Sequence, residues 1–353
     1  MVKILPYLKL AVEKSASDVF FTTNAPAMLK VEGEMMAIGK TMMTYEFIKE
    51  LAYSILTPEQ QEYLEKNLEI DLATYAGGLG RFRVNIFTQR NNLSMVLRYV
   101  RGDIPVLDDL KMPEVLKDLI MQKRGLVLMV GATGSGKSTT LAAMINHRND
   151  NAAGHILTIE DPIEFVHPNR RSIVNQREVG SDTISYERAL KSALREAPDV
   201  ILIGEIRTRE TMESAMQLAN TGHLVLATLH ANNAFQALQR VVNLYPDQLR
   251  DQLYMDLALT LRSIISQRLV RRKDGKRCAA NEVMITTPFI SDLILNRRID
   301  EIKEAMNTSS DKGMLTFDNS LFKLWKDGLI DMDEALSNAD SHANLEAKIV
   351  FGG

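Results

Sequence analysis

GATGSGKST, residues 131–139, is the stretch on which the architecture of this chain turns. It fits the phosphate-loop spacing G-x-x-x-x-G-K-[ST], with Gly131, Gly136, Lys137 and Ser138 in the required places. The context agrees, because the apolar run 126–130 ends directly before it and a helical pattern over 138–147 follows. Glycines let such a loop curl until successive N–H groups point at phosphate oxygens, and the positive end of the next helix adds to that field. Lys137 is expected to reach the β- and γ-phosphates, and the Ser138 hydroxyl to bind Mg²⁺. Thr133, Gly134, Ser135, Gly136 and Thr139 complete the expected cradle. The chain is therefore expected to bind a nucleoside triphosphate.

Downstream and upstream of the loop, apolar runs alternate with helical patterns: LVLMV, ILTI (156–159), VILI (200–203) and LVLAT (224–228). Continuous apolar runs separated by helices predict a parallel sheet covered on both faces, an α/β domain over 114–353. Beyond Leu244 the chain reads as mainly helical, with a long pattern over 247–267. The first hundred residues read instead as a small α+β unit. Its expected strands are DVFFT (18–22), AMLKV (27–31), EMMAI (34–38), RFRVNIF (81–87) and LSMVLRYV (93–100), with breaks at 24–26 and at Glu32-Gly33. Met43, Phe47, Leu51 and Ile55 recur near helical spacing, and Thr57-Pro58-Glu59-Gln60 opens a second helix with a capping box. RGDIPVLDDLKMP (101–113), with two prolines and mixed charge, reads as the interdomain linker.

Composition narrows the classes. A length of 353 residues suits two domains, and the 45% apolar fraction is ample for their cores. A formal net charge of −3 gives no general pull toward nucleic acid or anionic membrane. No stretch approaches the length of a spanning helix and no leader is read at the N-terminus, so a cytoplasmic location without membrane insertion is expected. One cysteine, Cys278, leaves no intramolecular disulfide and no CxxC zinc site.

Four further stretches carry chemistry. ILTIEDPIEFVH (156–167) sets Glu160, Asp161 and Glu164 just past a buried strand, where parallel sheets bind ligands, and any of the three could orient the attacking water. SALREAPDVILIGEIRTRET (192–211) resembles a Walker B strand, with Gly204 in the place of the terminal Asp and Glu205 next to it, placed to hold a Mg²⁺ water or the attacking water. TGHLVLATLHANN (221–233) ends a strand with Thr228 and His230, either a γ-phosphate contact or a capped strand end. A hairpin centred between Arg90 and Asn91 sets Arg83 opposite Arg98. Facing like charges are unfavourable unless an anion lies between them, and a solvated polar face is the plainer alternative. The basic cluster 262–277 has no interleaved aromatics and reads as a hairpin turn or subunit contact around Lys273-Asp274-Gly275-Lys276.

GATGSGKSTT, TIEDPIEF, LREAPDVILIGEIR and GHLVLATLHANNA, in that order, closely resemble the secretion-superfamily ATPases. Within them the chain is similar to the type IV pilus retraction motors of the PilT/PilU group, from ASDVFF (16–21) over nearly its whole length. The resemblance implies a PAS-like N-terminal domain over 1–100 and a RecA-like P-loop ATPase domain with a C-terminal helical region over 114–353. It also implies a homo-hexamer, with ATP and Mg²⁺ held between the domains. It makes Glu164 the catalytic carboxylate, Glu205 the Walker B glutamate holding Mg²⁺ through water, and His230 the histidine-box residue. Arg83 and Arg98 then act on the γ-phosphate.

Departures narrow the assignment. The four-cysteine zinc element of the extension and secretion members is missing, and Thr208 follows GEIR where many relatives carry an acid. The stretches 290–306, 313–330 and 333–341 are more similar to the PilU branch. The implied partners are a PilT-like ATPase and an inner-membrane pilus platform protein, reached from the cytoplasmic face. Competing readings are a primary PilT-type motor, a weakly active assembly subunit and a RecA-like nucleic-acid translocase, against which the acidic balance speaks.

Overall fold

The computed structural model describes residues 3–31, 33–100, 102–309 and 313–351. Glu32 of the expected turn and Arg101 of the expected linker lie outside the described residues. The chain divides into two compact units, Met1–Asp103 with Glu164–Val166, and Ile104–Ile163 with His167–Gly353. Leu107 and Met112 are buried in the core of the second unit, so the C-terminal half of the proline-containing stretch is part of a packed domain. No helix among the described residues is long and apolar enough to cross a membrane.

The first unit is built on strands β1 (Asp18–Thr22), β2 (Ala27–Val31), β3 (Glu34–Ile38), β4 (Glu69–Ala76), β5 (Gly80–Gln89) and β6 (Asn92–Val100). They form an antiparallel sheet in the order β3-β2-β1-β6-β5-β4. Phe82, Val84 and Ile86 alternate into its core while Arg83 and Asn85 are partly exposed, the period-two pattern of a half-covered sheet. The β5–β6 hairpin closes through Arg90 and Asn91, both with positive φ (47° and 60°), a two-residue turn whose twist matches that of its strands. That turn fixes the register, and Arg83 pairs directly with Arg98. The helix Pro58–Asn67 begins with the expected box: Thr57 Oγ1 accepts from Gln60 N, and Gln60 Oε1 accepts from Thr57 N.

The second unit carries β7 (Gly125–Val130), β8 (Gly154–Glu160), β9 (Ser172–Glu178), β10 (Val200–Ile203), β11 (Leu224–Leu229), β12 (Leu261–Arg271) and β13 (Arg277–Ile285). Their order is β13-β12-β7-β11-β10-β8-β9, parallel except for the β12–β13 hairpin. All residues of β7, β10 and β11 are buried, because helices cover both faces and every side chain there leaves water. Each fully buried Leu, Ile or Val contributes about 1.5–3 kcal/mol.

One expectation fails here. The pattern over 247–267 is not one helix: a 3₁₀ turn Asp247–Leu249 leads into a helix Arg250–Thr260, and then Leu261–Arg271 runs as β12 parallel to β7. Nor is the chain beyond Leu244 mainly helical at first, since β12 and β13 close one side of the sheet. The β-branched pair Ile264-Ile265 is fully buried next to β7, and a strand covered on both faces lacks the alternation that would have identified it. The turn between β12 and β13 does fall at residues 272–276, as the basic cluster suggested. Arg268 from that cluster is spent internally, paired with Asp340 at 2.7 Å and lying over the Phe317 ring.

Candidate functional site

β7 delivers the chain to Gly131, and the helix Lys137–Asn151 leaves from Gly136. Two glycines are forced by their surroundings. A Cβ on Gly131 (φ +153°) would lie 2.5 Å from the Gln267 carbonyl oxygen, and one on Gly136 (φ +86°) 2.8 Å from Gln267 Nε2. Gln267, buried on β12, is the clamp of the loop: its Nε2 donates to the Ser135 carbonyl (2.7 Å) and its Oε1 accepts from Thr140 Oγ1 (2.8 Å). Lys137 Nζ reaches back over the loop and donates to the carbonyl oxygens of Gly131 (2.8 Å) and Ala132 (3.0 Å). Ser135 Oγ is buried without a hydrogen-bond partner among the described residues.

Because β7, β11, β10 and β8 are parallel neighbours, their C-terminal ends line one edge of the sheet. That edge brings together the phosphate loop, His230 beyond β11, Glu205 beyond β10 and Glu160 at the end of β8. Glu205 is mostly enclosed: its Oε1 lies 3.0 Å from His230 Nε2, and its Oε2 accepts from Arg207 Nε (2.7 Å). The carboxylate beside it pushes the Arg207 pKa above its already high usual value. Glu160 Oε1 accepts from Thr158 Oγ1 (2.6 Å) and Gln176 Nε2 (3.2 Å). Asp161 and Glu164 are exposed and make no hydrogen bond or ion pair among the described residues. Glu178 pins the loop between them by accepting from Ile163 N (3.0 Å).

A cavity of about 430 Å³ opens beside Gly131 and Ala132, walled by His230, Asn232 and Gln236. A second, of about 300 Å³, lies on the other side of the loop against Gly136, Thr139 and Thr140, with Leu269, Arg272 and Cys278 opposite. Burial pushes the Cys278 thiol up, so it is a poor nucleophile.

In the first unit, Arg98 is not left to repel Arg83 unaided. Asp18 of β1, the neighbour of Arg98 in register, accepts from Arg98 Nε at 2.8 Å. Its other carboxylate oxygen accepts from Ser17 Oγ (2.8 Å). The carboxylate is 6% exposed and the arginine side chain 62%, so the anion is fixed inside while the guanidinium looks outward. Bound through Nε, Arg98 keeps both Nη groups free of partners among the described residues. Sequence reasoning asked for an anion at this pair and did not find Asp18, although it lies in the quoted strand DVFFT. It also missed Gln267, inside the misread helix, and Arg207, two residues past Glu205.

His167 closes the EDPIEFVH segment. It is buried, its Nδ1 has no hydrogen-bond partner among the described residues, and burial with Arg170 nearby pulls its pKa from 6.5 down to about 4. Burial favours the neutral ring, so its stabilisation is complete above the unfolded pKa of 6.5 and is lost as pH falls toward 4, by about 3 kcal/mol. Melting curves between pH 7.5 and 4 are expected to fall less steeply for His167→Gln than for the natural chain. Equal slopes would remove His167 from the acid response.

A family model described as type II/IV secretion system protein matches residues 2–313. The chain is 49% identical to the type IV pilus ATPase PilU of Pseudomonas aeruginosa over 98% of this chain and 91% of that one. It is 40% identical to the PilT retraction ATPase of the same organism over 97% and 99% of the two chains. A crystal structure of the pilus retraction motor PilT with bound ADP superimposes with a TM-score of 0.90 at 39% identity, covering 97% of this chain and 98% of that one.

Proposed function

The chain belongs to the type II/IV secretion system protein family, and from that premise we propose that it is a motor subunit of a type IV pilus machine, powering or assisting pilus retraction in the manner of PilU. It is a P-loop ATPase. The observation that carries the reading is the shared sheet edge on which the phosphate loop, Glu205 and His230 converge.

The triphosphate of ATP lies in the 131–139 loop, with the nucleoside in the cavity next to Thr139 and Cys278. Lys137 exchanges the loop carbonyls for phosphate oxygens. Ser138 and Glu205 offer the hard oxygen donors that Mg²⁺ takes, and the Ser138 hydroxyl has no partner among the described residues. When bound, the ion offsets charge on the β- and γ-phosphates. Glu164, exposed and unengaged, takes the proton of the attacking water. Arg83 and the outward guanidinium of Arg98 stabilise charge on the transferring phosphoryl group. His230, in contact with Glu205, relays the loss of the γ-phosphate along the edge.

In this reading the N-terminal sheet is a PAS-like domain, the ATPase domain is RecA-like, and six copies form a ring at the cytoplasmic face of the inner membrane. The ring works with a PilT-like ATPase and pulls through the pilus platform protein. The likeness to PilU and PilT along nearly the full chain supports it.

Arg83→Ala and Arg98→Ala are each expected to lower turnover about 10³-fold, the lower end for arginine fingers, in a steady-state phosphate-release assay. Unchanged rates would return both to a solvated strand face. In the piliated host, deleting the gene is expected to reduce the frequency or force of retraction. Retraction that stays unchanged both with and without PilT would overturn the pilus reading.

A further inference from the structure

Gly204 stands where a Walker B strand ordinarily ends in an acid, and a side chain there would be crowded on three sides. A Cβ on Gly204 would lie 2.8 Å from Tyr186 Oη, 3.1 Å from Glu160 Cα and 3.3 Å from the Ile159 carbonyl oxygen. The backbone cannot retreat, because Gly204 N donates to Ile159 O (2.7 Å) and the Gly204 carbonyl accepts from Thr228 Oγ1. The point in space that a residue-204 side chain would enter is thus filled by the hydroxyl of a residue from a different element.

Tyr186 is the first residue of the helix Tyr186–Glu196, whose start is fixed by Ser185 Oγ accepting from Arg188 N. Its ring packs against the main core cluster of the second unit, so the direction of the C–O bond is set by packing. At Gly204 the hydroxyl sits beside the Glu160 backbone, within electrostatic range of Asp161, Glu160, Glu205 and the guanidinium of Arg207. Burial, with three carboxylates close by, pushes the phenol pKa well above its usual value, so it keeps its proton. A neutral O–H is therefore presented to an edge otherwise rich in acceptors, and a phenol can donate one hydrogen bond while accepting another.

We propose that Tyr186 is a positioning residue for ATP hydrolysis: its hydroxyl takes the place of the side chain absent at Gly204 and hydrogen-bonds the water held by the carboxylates of this edge. The phenol neither loses its proton nor forms a covalent bond. It holds the water oxygen in line while a carboxylate removes the proton. This rests on the reading of the edge as the hydrolytic centre.

Tyr186→Phe in the full-length chain tests it, since the ring and its packing are kept and one oxygen is removed. The expected result is a fall in kcat of about tenfold, the worth of one neutral hydrogen bond, with KM and the affinity for a fluorescent ATP analogue unchanged. A purely structural role would lower the melting temperature and weaken binding of the ATP analogue together with kcat. Turnover within twofold of the natural chain, or a loss of kcat matched by an equal loss of affinity for the ATP analogue, overturns the proposal. Glu205→Gln run in parallel separates the two ideas. Full activity there removes the edge itself as the hydrolytic centre, whereas an inactive Glu205→Gln beside a silent Tyr186→Phe removes only the role of Tyr186.

Discussion

Lys137→Ala is expected to abolish ATP binding at micromolar nucleotide, and with it all hydrolysis. The ammonium now spans the loop, donating to the carbonyl oxygens of Gly131 and Ala132. Those are neutral acceptors, and phosphate oxygens carrying negative charge draw the same protons more strongly. Two charge-assisted bonds at about 1.5–3 kcal/mol each correspond to roughly 10²–10⁴ in the dissociation constant. The fold should not suffer. Gln267 clamps the loop through Ser135 and Thr140 independently of the lysine, so its shape survives the truncation. Calorimetric titration with ATP is the measurement, with a melting curve as the control. Affinity equal to the natural chain would contradict the role assigned to the loop.

The local grammar of the chain reveals much of this site. Gly131, Gly136, Lys137 and Ser138 are legible because phosphate binding needs them at one spacing in consecutive sequence. The Arg83–Arg98 pairing is legible for a similar reason, since a two-residue turn at Arg90-Asn91 dictates the register of the strands flanking it. What escapes is what the fold assembles from afar. Gln267 touches the phosphate loop from a strand 132 residues further along, and Asp18 meets Arg98 across 80 residues. Neither residue type announces such a task, and no periodicity relates the partners. β9 escapes for a different reason: SIVNQRE is an edge strand whose last four residues are all polar, and only its pairing with β8 makes it a strand. β12 escapes because burial on both faces erases alternation, and its apolar residues Leu261, Ile264, Ile265, Leu269 and Val270 fall at a spacing that suits a helix as well. The error there concealed Gln267, so one misread element cost one site residue.

Glu164→Gln should bind ATP normally and hydrolyse it about 10⁴-fold more slowly, the upper end for loss of a general base. Three carboxylates compete for that role at the end of β8 and one at the end of β10, and their hydrogen bonds separate them. Glu160 already accepts from Thr158 and Gln176, and Glu205 has His230 at one oxygen and Arg207 at the other. A carboxylate so engaged has its oxygens occupied and less room to receive the attacking water. Asp161 and Glu164 are exposed and carry no such partners among the described residues, so the oxygens of both are open to a water. The resemblance in sequence favours Glu164, and chemistry alone leaves Asp161 as its rival. Glutamine keeps the shape and a hydrogen-bond acceptor while it can take no proton, so binding and chemistry separate cleanly. A filter assay should find ATP retained unhydrolysed on Glu164→Gln after the natural chain has turned over many times. If that variant hydrolyses at the ordinary rate while Asp161→Asn stalls, the base is the aspartate, and the role of Glu164 shrinks to shaping the loop that Glu178 holds.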